Sequence, residues 1–155
     1  MLLRAFALGL ATGLRSQTAM AALALVAQRD PEVVRSGSPA ARLRTPRAAL
    51  FTGTSALGEM VVDKLPIVPS RLTAPVLGGR ILFGGLTGAA NTPLAYRPWE
   101  GAVVAMLGAV AGNYGGYYGR AWLGKRTAWP DPAVGLVEDA IAVSTALAAA
   151  RTRVS

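Results

Sequence analysis

Apolar residues gather in five stretches, at about Leu3–Ala27, Ala48–Leu65, Pro75–Leu94, Gly101–Leu123 and Ala133–Ala150. Each is near the ~20 residues that a helix needs to cross the hydrocarbon layer of a bilayer. The pattern predicts an all-α fold: a polytopic membrane helix bundle of about five transmembrane helices, forming one domain over residues 1–155. The connections are polar and rich in proline. Arg29–Arg47, with Pro31, Pro39 and Pro46, is the longest and is expected to be a flexible loop. Pro66 and Pro69 are expected to end the second helix, and Pro98, Pro130 and Pro132 to separate the later ones, because proline has no N–H to continue a helix. Asn91-Thr92-Pro93 marks a further helix end. Trp99, Trp122 and Trp129 fall at segment edges, where an indole prefers the headgroup level. The first stretch could pass for a signal peptide, but Arg15 interrupts it and it outruns the usual apolar core, so a retained helix is expected.

Composition strengthens the membrane expectation. The chain is 52% hydrophobic and 15% charged, against about 25% charged in a typical soluble domain. Aromatics make up only 6%, while Ala and Gly abound. Helices in lipid favour small residues, since close backbone approach replaces the hydrophobic drive that lipid removes. The net charge of +8 is spread between the apolar stretches. That placement suits anionic headgroups and argues against nucleic acid as a partner. There is no Cys and no His. Thiolate nucleophiles, imidazole bases and their metal sites are thereby excluded. No P-loop, GxSxG, HExxH or kinase signature is present, so neither a cofactor nor a metal is expected.

Basic residues suggest an orientation. With five spans, Arg29–Arg47, Arg97, Arg151 and Arg153 share one side, and Arg4, Arg71, Lys125 and Arg126 the other. This favours a cytoplasmic C-terminus. There is also an echo between halves: a Gly-rich helix followed by an acidic one occurs as helices 1–2 and again as helices 4–5. One span between the pairs would make this an inverted-topology repeat, which commonly places a transport site near the midplane.

Half of the eight acidic residues, Glu59, Asp63, Glu138 and Asp139, lie inside the apolar stretches. A carboxylate at the bilayer centre costs roughly 2.5–3.5 kcal/mol even on the lenient insertion scale. Glu59 and Asp63 are four apart and share a helical face. Repulsion between them would leave one protonated near neutral pH, which suits proton exchange or cation binding. Alternatively, Asp63 pairs with Lys64 at the membrane edge and Glu59 with a buried arginine. Glu138 and Asp139 point about 100° apart. They either face the bundle interior or stabilise the start of their helix.

Arg15 lies mid-span in Gly13-Leu14-Arg15-Ser16-Gln17-Thr18, too deep to snorkel. Ser16 could cap a second half-helix whose free N–H groups face an anion. An unbroken helix with Arg15 paired to Glu59 or Glu138 is the simpler expectation. Gly84, Gly88, Gly108, Gly112 and Gly116 form small-residue stripes for close helix packing, and are candidate homo-oligomer interfaces. Asn113 is expected to bond a neighbouring helix. Ser16, Thr18, Lys64, Arg80 and Asn113 complete the polar set around the acids.

Gly-Leu-Arg-Ser-Gln-Thr at 13–18, Gly-Glu-Met-Val-Val-Asp-Lys-Leu-Pro at 58–66, Pro-Ser-Arg at 69–71, Gly-Arg at 79–80 and Glu-Asp-Ala-Ile-Ala at 138–142 resemble a small bacterial membrane family known only as a domain of unknown function. The resemblance spans nearly the whole chain, and Gly-Glu-x-x-x-Asp-Lys-x-Pro is its most specific block. It implies a multi-pass helical protein of the bacterial plasma membrane and brings no activity with it. Gln17 stands where that family is expected to have an apolar residue, often Met.

These features together suggest a transporter or channel for a small solute or ion, possible proton coupling included. Glu59 and Glu138 would be its central carboxylates, Arg15 the counter-ion, and Asp63 and Asp139 auxiliaries. One alternative is a membrane enzyme in which Arg15, Arg71 and Arg80 hold a lipid phosphate. Another is an accessory protein whose buried charges only pair with one another.

Overall fold

The computed structural model describes residues 1–30, 39–62, 72–92 and 96–152, and every element among them is helical. The helices are α1 (Leu2–Leu14), α2 (Thr18–Arg29), α3 (Pro46–Val62), α4 (Ala74–Asn91), α5 (Pro98–Thr127) and α6 (Asp131–Arg151), with a 3₁₀ helix at Pro39–Arg44. Pro98, Pro130 and Pro132 separate the later helices as expected, but several prolines belong to first turns and not to the connections. Pro46 opens α3, and Pro75, Pro98 and Pro132 sit in the first turns of α4, α5 and α6. A first-turn N–H has no intrahelical acceptor, so its loss there is harmless. At the other end of α4, Thr92 precedes Pro93 and is extended, which stops the helix at Asn91. α5 ends on Ala128 in the left-handed region, φ 53°, with its N–H bonded to Gly124 O.

The first apolar stretch is not one helix. It breaks at Arg15–Gln17 and turns back on itself. Arg4 Nη2 donates to Ala150 O, and Arg15 reaches Asp139, so α1 runs antiparallel to α6. α2 then returns: Leu8 and Ala11 of α1 pack with Ala19, Ala22, Leu23 and Val26 of α2 and with Ala146, Ala149 and Ala150 of α6. The ends of α1 and α2 away from the turn therefore lie at the C-terminal end of α6, here called the base. The chain's two ends share the base, not opposite sides as five spans would require. At about 1.5 Å per residue, the hairpin is about 20 Å deep.

Part of the expected flexible loop is ordered. Leu43 of the 3₁₀ helix packs against the α1–α2–α6 core, and Ala41 and Leu43 pack beside Ala27 and Ala90. α3 then descends beside α2, with Gln28 Nε2 donating to Thr45 O at the base (3.4 Å) and Glu59 reaching the hairpin tip. Pro66 and Pro69, expected to end this helix, lie outside the described residues.

Glycine sets the contacts of α5. A Cβ at Gly9 would overlap Ala105 O, and one at Gly13 would overlap Ala109 O. Gly108 and Gly112 meet Phe6 O and Leu10 O in the same way, so α1 and α5 lie parallel, backbone on backbone. Gly84 and Gly88 accept Ala105, Ala109 and Gly101 from the antiparallel α5. Gly84, Gly88, Gly108 and Gly112 are thus packed against helices of the same chain. The repeat does not appear either: α1 and α5 run the same way, and α5 is unbroken where α1–α2 folds back.

Among the described residues one helix, α6, is long and apolar enough to cross a membrane. The expectation of five such helices is not met by this measure. The hairpin halves α1 and α2 have only 13 and 12 residues. α5 carries Asn113, Arg120, Lys125 and Arg126. Both apolar and charged side chains appear on each side of the burial divide. Leu50, Phe51, Leu57, Leu82, Leu86, Leu107, Leu136 and Ile141 are exposed, while Arg15, Arg80, Asn113, Glu138 and Asp139 are buried.

Candidate functional site around the hairpin tip

A helix break deep in a protein leaves orphan carbonyls on one side and orphan N–H groups on the other. Here both sets are met by charged side chains from distant helices. Arg80 of α4 donates through Nη1 to Gly13 O (2.5 Å) and Leu14 O (3.0 Å), the last carbonyls of α1. Glu59 of α3 accepts from Ser16 N–H (2.7 Å) and Gln17 N–H (2.9 Å), at the start of α2. Glu59 and Arg80 also pair with each other at 3.8 Å. The helix dipoles explain the signs: a cation sits at the C-terminus of α1 and an anion at the N-terminus of α2. The expectation of an unbroken helix is therefore corrected. Ser16 takes part through its backbone, and the anion facing the free N–H groups is the protein's own Glu59.

Arg15, the residue at the break, is fully buried. Its Nε donates to Asp139 Oδ1 at 2.5 Å, and its Nη2 lies 4.0 Å from Glu138 Oε2. The closer partner is Asp139, expected to be auxiliary, and not Glu59 or Glu138. The 100° between consecutive helical positions decides this: it aims Asp139 at the tip and Glu138 sideways toward α5. There Glu138 meets Arg120 at 3.7 Å. Arg120 in turn donates through Nε to Asp131 Oδ1 (2.8 Å) and through Nη2 to Asp131 Oδ2. The result is a chain of alternating charge, Asp139–Arg15–Glu138–Arg120–Asp131. It runs from the fully buried Arg15 to Asp131, whose side chain is 75% exposed.

Arg120 is the member that the sequence did not single out. The signal was present: it lies on a Gly-rich helix, eighteen positions before Glu138, on the hairpin that joins α5 to α6. Arg120 and Glu138 also line an open apolar groove of about 380 Å³ between α5 and α6, floored by Leu10 and Leu14. Asn113 is fully buried, and its backbone N lies against Gly13 next to the break. Thr18, the first residue of α2, is 4% exposed, and its hydroxyl has no hydrogen-bond partner among the described residues. Asp63 and Lys64 lie outside the described residues. The structure thus brings Arg15, Ser16, Glu59, Arg80, Glu138 and Asp139 together around one break, with Thr18 and Asn113 adjoining it. Among the described residues, no three acids converge as a metal site.

No protein-family model matches the chain, and comparison with curated proteins and with solved structures finds no match.

Proposed function

We propose that this chain is a small integral membrane protein of the bacterial plasma membrane that passes a small solute or ion, exchanging protons on carboxylates at the hairpin tip. The observation that carries the proposal is the broken helix itself, with its arginines, acids and unpartnered Thr18 hydroxyl gathered at one depth. A hairpin about 20 Å deep ends roughly two-thirds of the way through a ~30 Å hydrocarbon layer. Non-helical backbone at such depth is tolerated only where protein buries it or water lines it. Ionisable groups there usually mark a pathway, and broken helices are a common way to build one. The exposed Leu and Phe side chains support lipid surroundings, as does the resemblance to a bacterial membrane family.

In this proposal α3 to α6 cross the bilayer, while α1 and α2 enter and leave from the base. Among the described residues the base carries Arg4, Arg29, Arg42, Arg44, Arg47, Arg97 and Arg151, and the far end Lys125 and Arg126. By the positive-inside rule the base faces the cytoplasm. Copies of the chain would meet along the open side of α5, where Gly115 and Gly119 line the groove and a Cβ would meet nothing within 4 Å.

Glu138 is the proton-exchanging group. It sits between two arginines and borders the groove. Protonation would loosen Arg15 and Arg120 together, leaving them to Asp139 and Asp131. Glu59 keeps the tip in shape, and Thr18 offers a free hydroxyl to the passing species. The test is proton entry into liposomes holding a pH-sensitive dye, driven by a potassium diffusion potential. Wild type should admit protons, and Glu138→Gln should slow entry at least roughly a hundredfold, the low end of what a positioned acid–base group contributes. Equal rates for folded, inserted Glu138→Gln and wild type would overturn the assignment.

A second reading has its own support. The acids at the tip each have an arginine partner, as an accessory protein with internally paired charges would require. An Arg15→Asp/Asp139→Arg exchange that restores folding, with no flux in any variant including wild type, would favour it. The lipid-phosphate alternative has less support: Arg15 and Arg80 face carboxylates and carbonyls, not an open pocket.

A further inference from the structure

Arg15, Arg80 and Arg120 are buried or half-buried, and each meets a carboxylate. Arg4 does not. It is 5% exposed, and it has no carboxylate partner among the described residues. Its Nη2 donates to Ala150 O (3.1 Å) near the C-terminus of α6, and its Nε has no partner. That helix end supplies roughly half an elementary negative charge, so a good part of the guanidinium's charge remains uncompensated. Burying a charge in that condition is costly, and structures normally provide a counter-charge.

Space for one is present. Arg4 lines a cavity of about 550 Å³ at the base, between α1 and α6. Thr145 and Thr152 also line it, Thr152 with its hydroxyl donated to Ala148 O (3.0 Å), and Leu3, Ala7 and Ala148 make the rest of it largely apolar. Leu3 is 81% exposed and continues the apolar wall outward. Nη2 is committed to Ala150 O and Nε is shielded, so Nη1 is the charged donor left for a ligand, and such a donor beside an apolar rim suits an oxyanion. We infer that Arg4 anchors a binding site for a phosphate group, separate from the hairpin tip and independent of any transport activity. The phosphate is either free in solution or part of an anionic lipid headgroup. The position at the base, with a rim of Leu3 and Ala7, accommodates both.

The experiment uses the full chain in neutral detergent and follows its melting temperature. Inorganic phosphate is titrated in one arm, with chloride holding ionic strength constant. Short-chain phosphatidylglycerol is titrated in another, with phosphatidylcholine as the uncharged comparison. A ligand that binds only the folded state raises the melting temperature in a saturable way. A rise with inorganic phosphate identifies the free anion as sufficient. A rise with phosphatidylglycerol alone identifies the headgroup. In either case Arg4→Gln should bind roughly tenfold to a hundredfold more weakly, the loss expected of a charge-assisted hydrogen bond. Ala148→Leu leaves Arg4 intact and fills the cavity from an exposed position, so it decides the matter alone where Arg4→Gln fails to fold. The inference is overturned if neither ligand raises the melting temperature, if phosphatidylcholine acts as well as phosphatidylglycerol, or if every folded variant titrates like wild type.

Discussion

Glu59→Ala is the most informative single change, because one carboxylate serves three partners. It accepts from Ser16 N–H and Gln17 N–H and pairs with Arg80. A hydrogen bond to a charged acceptor contributes about 1.5–3 kcal/mol, so the two amides alone suggest about 3–6 kcal/mol. Removing one member of a buried ion pair costs about 3–5 kcal/mol through the charge left behind. These figures describe overlapping effects of the same group and do not add. Arg80 also keeps its bonds to Gly13 O and Leu14 O, which softens the loss. The side chain of Glu59 is 15% exposed, so some water can replace it. We expect a net cost of about 3–5 kcal/mol. For a chain of this size that is a fall of roughly 6–20 °C in melting temperature, at about 2–4 °C per kcal/mol. Glu59→Gln keeps one acceptor oxygen and should lose about half as much. Hydrogen exchange gives the local readout: the amides of Ser16 and Gln17 should lose protection while those of α6 keep theirs. Unchanged protection at these two amides, with a stability loss below about 1 kcal/mol, would refute the account of the tip.

Other outcomes follow from the same geometry. Asp139→Asn should cost up to about 3–5 kcal/mol by removing the closer carboxylate from buried Arg15, which keeps the longer contact to Glu138, whereas Asp131→Asn, on an exposed carboxylate, should cost under about 1 kcal/mol; denaturation in mild detergent compares them. Gly13→Ala should destabilise by about 1–3 kcal/mol because its methyl meets Ala109 O, while Gly119→Ala, facing open space, should stabilise by about 0.5–1 kcal/mol. Ala128→Gly should stabilise by about 1 kcal/mol by relieving the left-handed backbone, again read from the melt. The chain has no cysteine, so Leu2→Cys and Thr152→Cys can each be labelled with an impermeant maleimide in oriented vesicles. Both should react from one side and Ala128→Cys from the other; opposite sides for the first two would exclude the hairpin.

Much of the site could be read from the sequence because the cost of a charge among apolar residues is a local property. Arg15, Glu59, Glu138 and Asp139 stand out in any hydropathy pattern, and each lies at the break or directly beside it. Arg80 stood out less, since its importance comes from carbonyls more than sixty positions away. Arg120 was hidden near a helix end, where a basic residue is ordinary. The partner assignments depended on rotation about helix axes, which no pairwise spacing reveals.

By itself the sequence determined that the described elements are helical, that Pro98, Pro130 and Pro132 separate the later helices, and which side chains could not be left alone in an apolar setting. Those outcomes rest on intrinsic backbone limits and on transfer energies, both carried by short stretches of residues. Only the tertiary structure decided that the first stretch folds back, that Asp139 holds Arg15, and that the glycines join helices of one chain. A helix break is costly until its orphan N–H and C=O groups find partners, and here Glu59 and Arg80 bring those partners from helices that meet only in the folded chain.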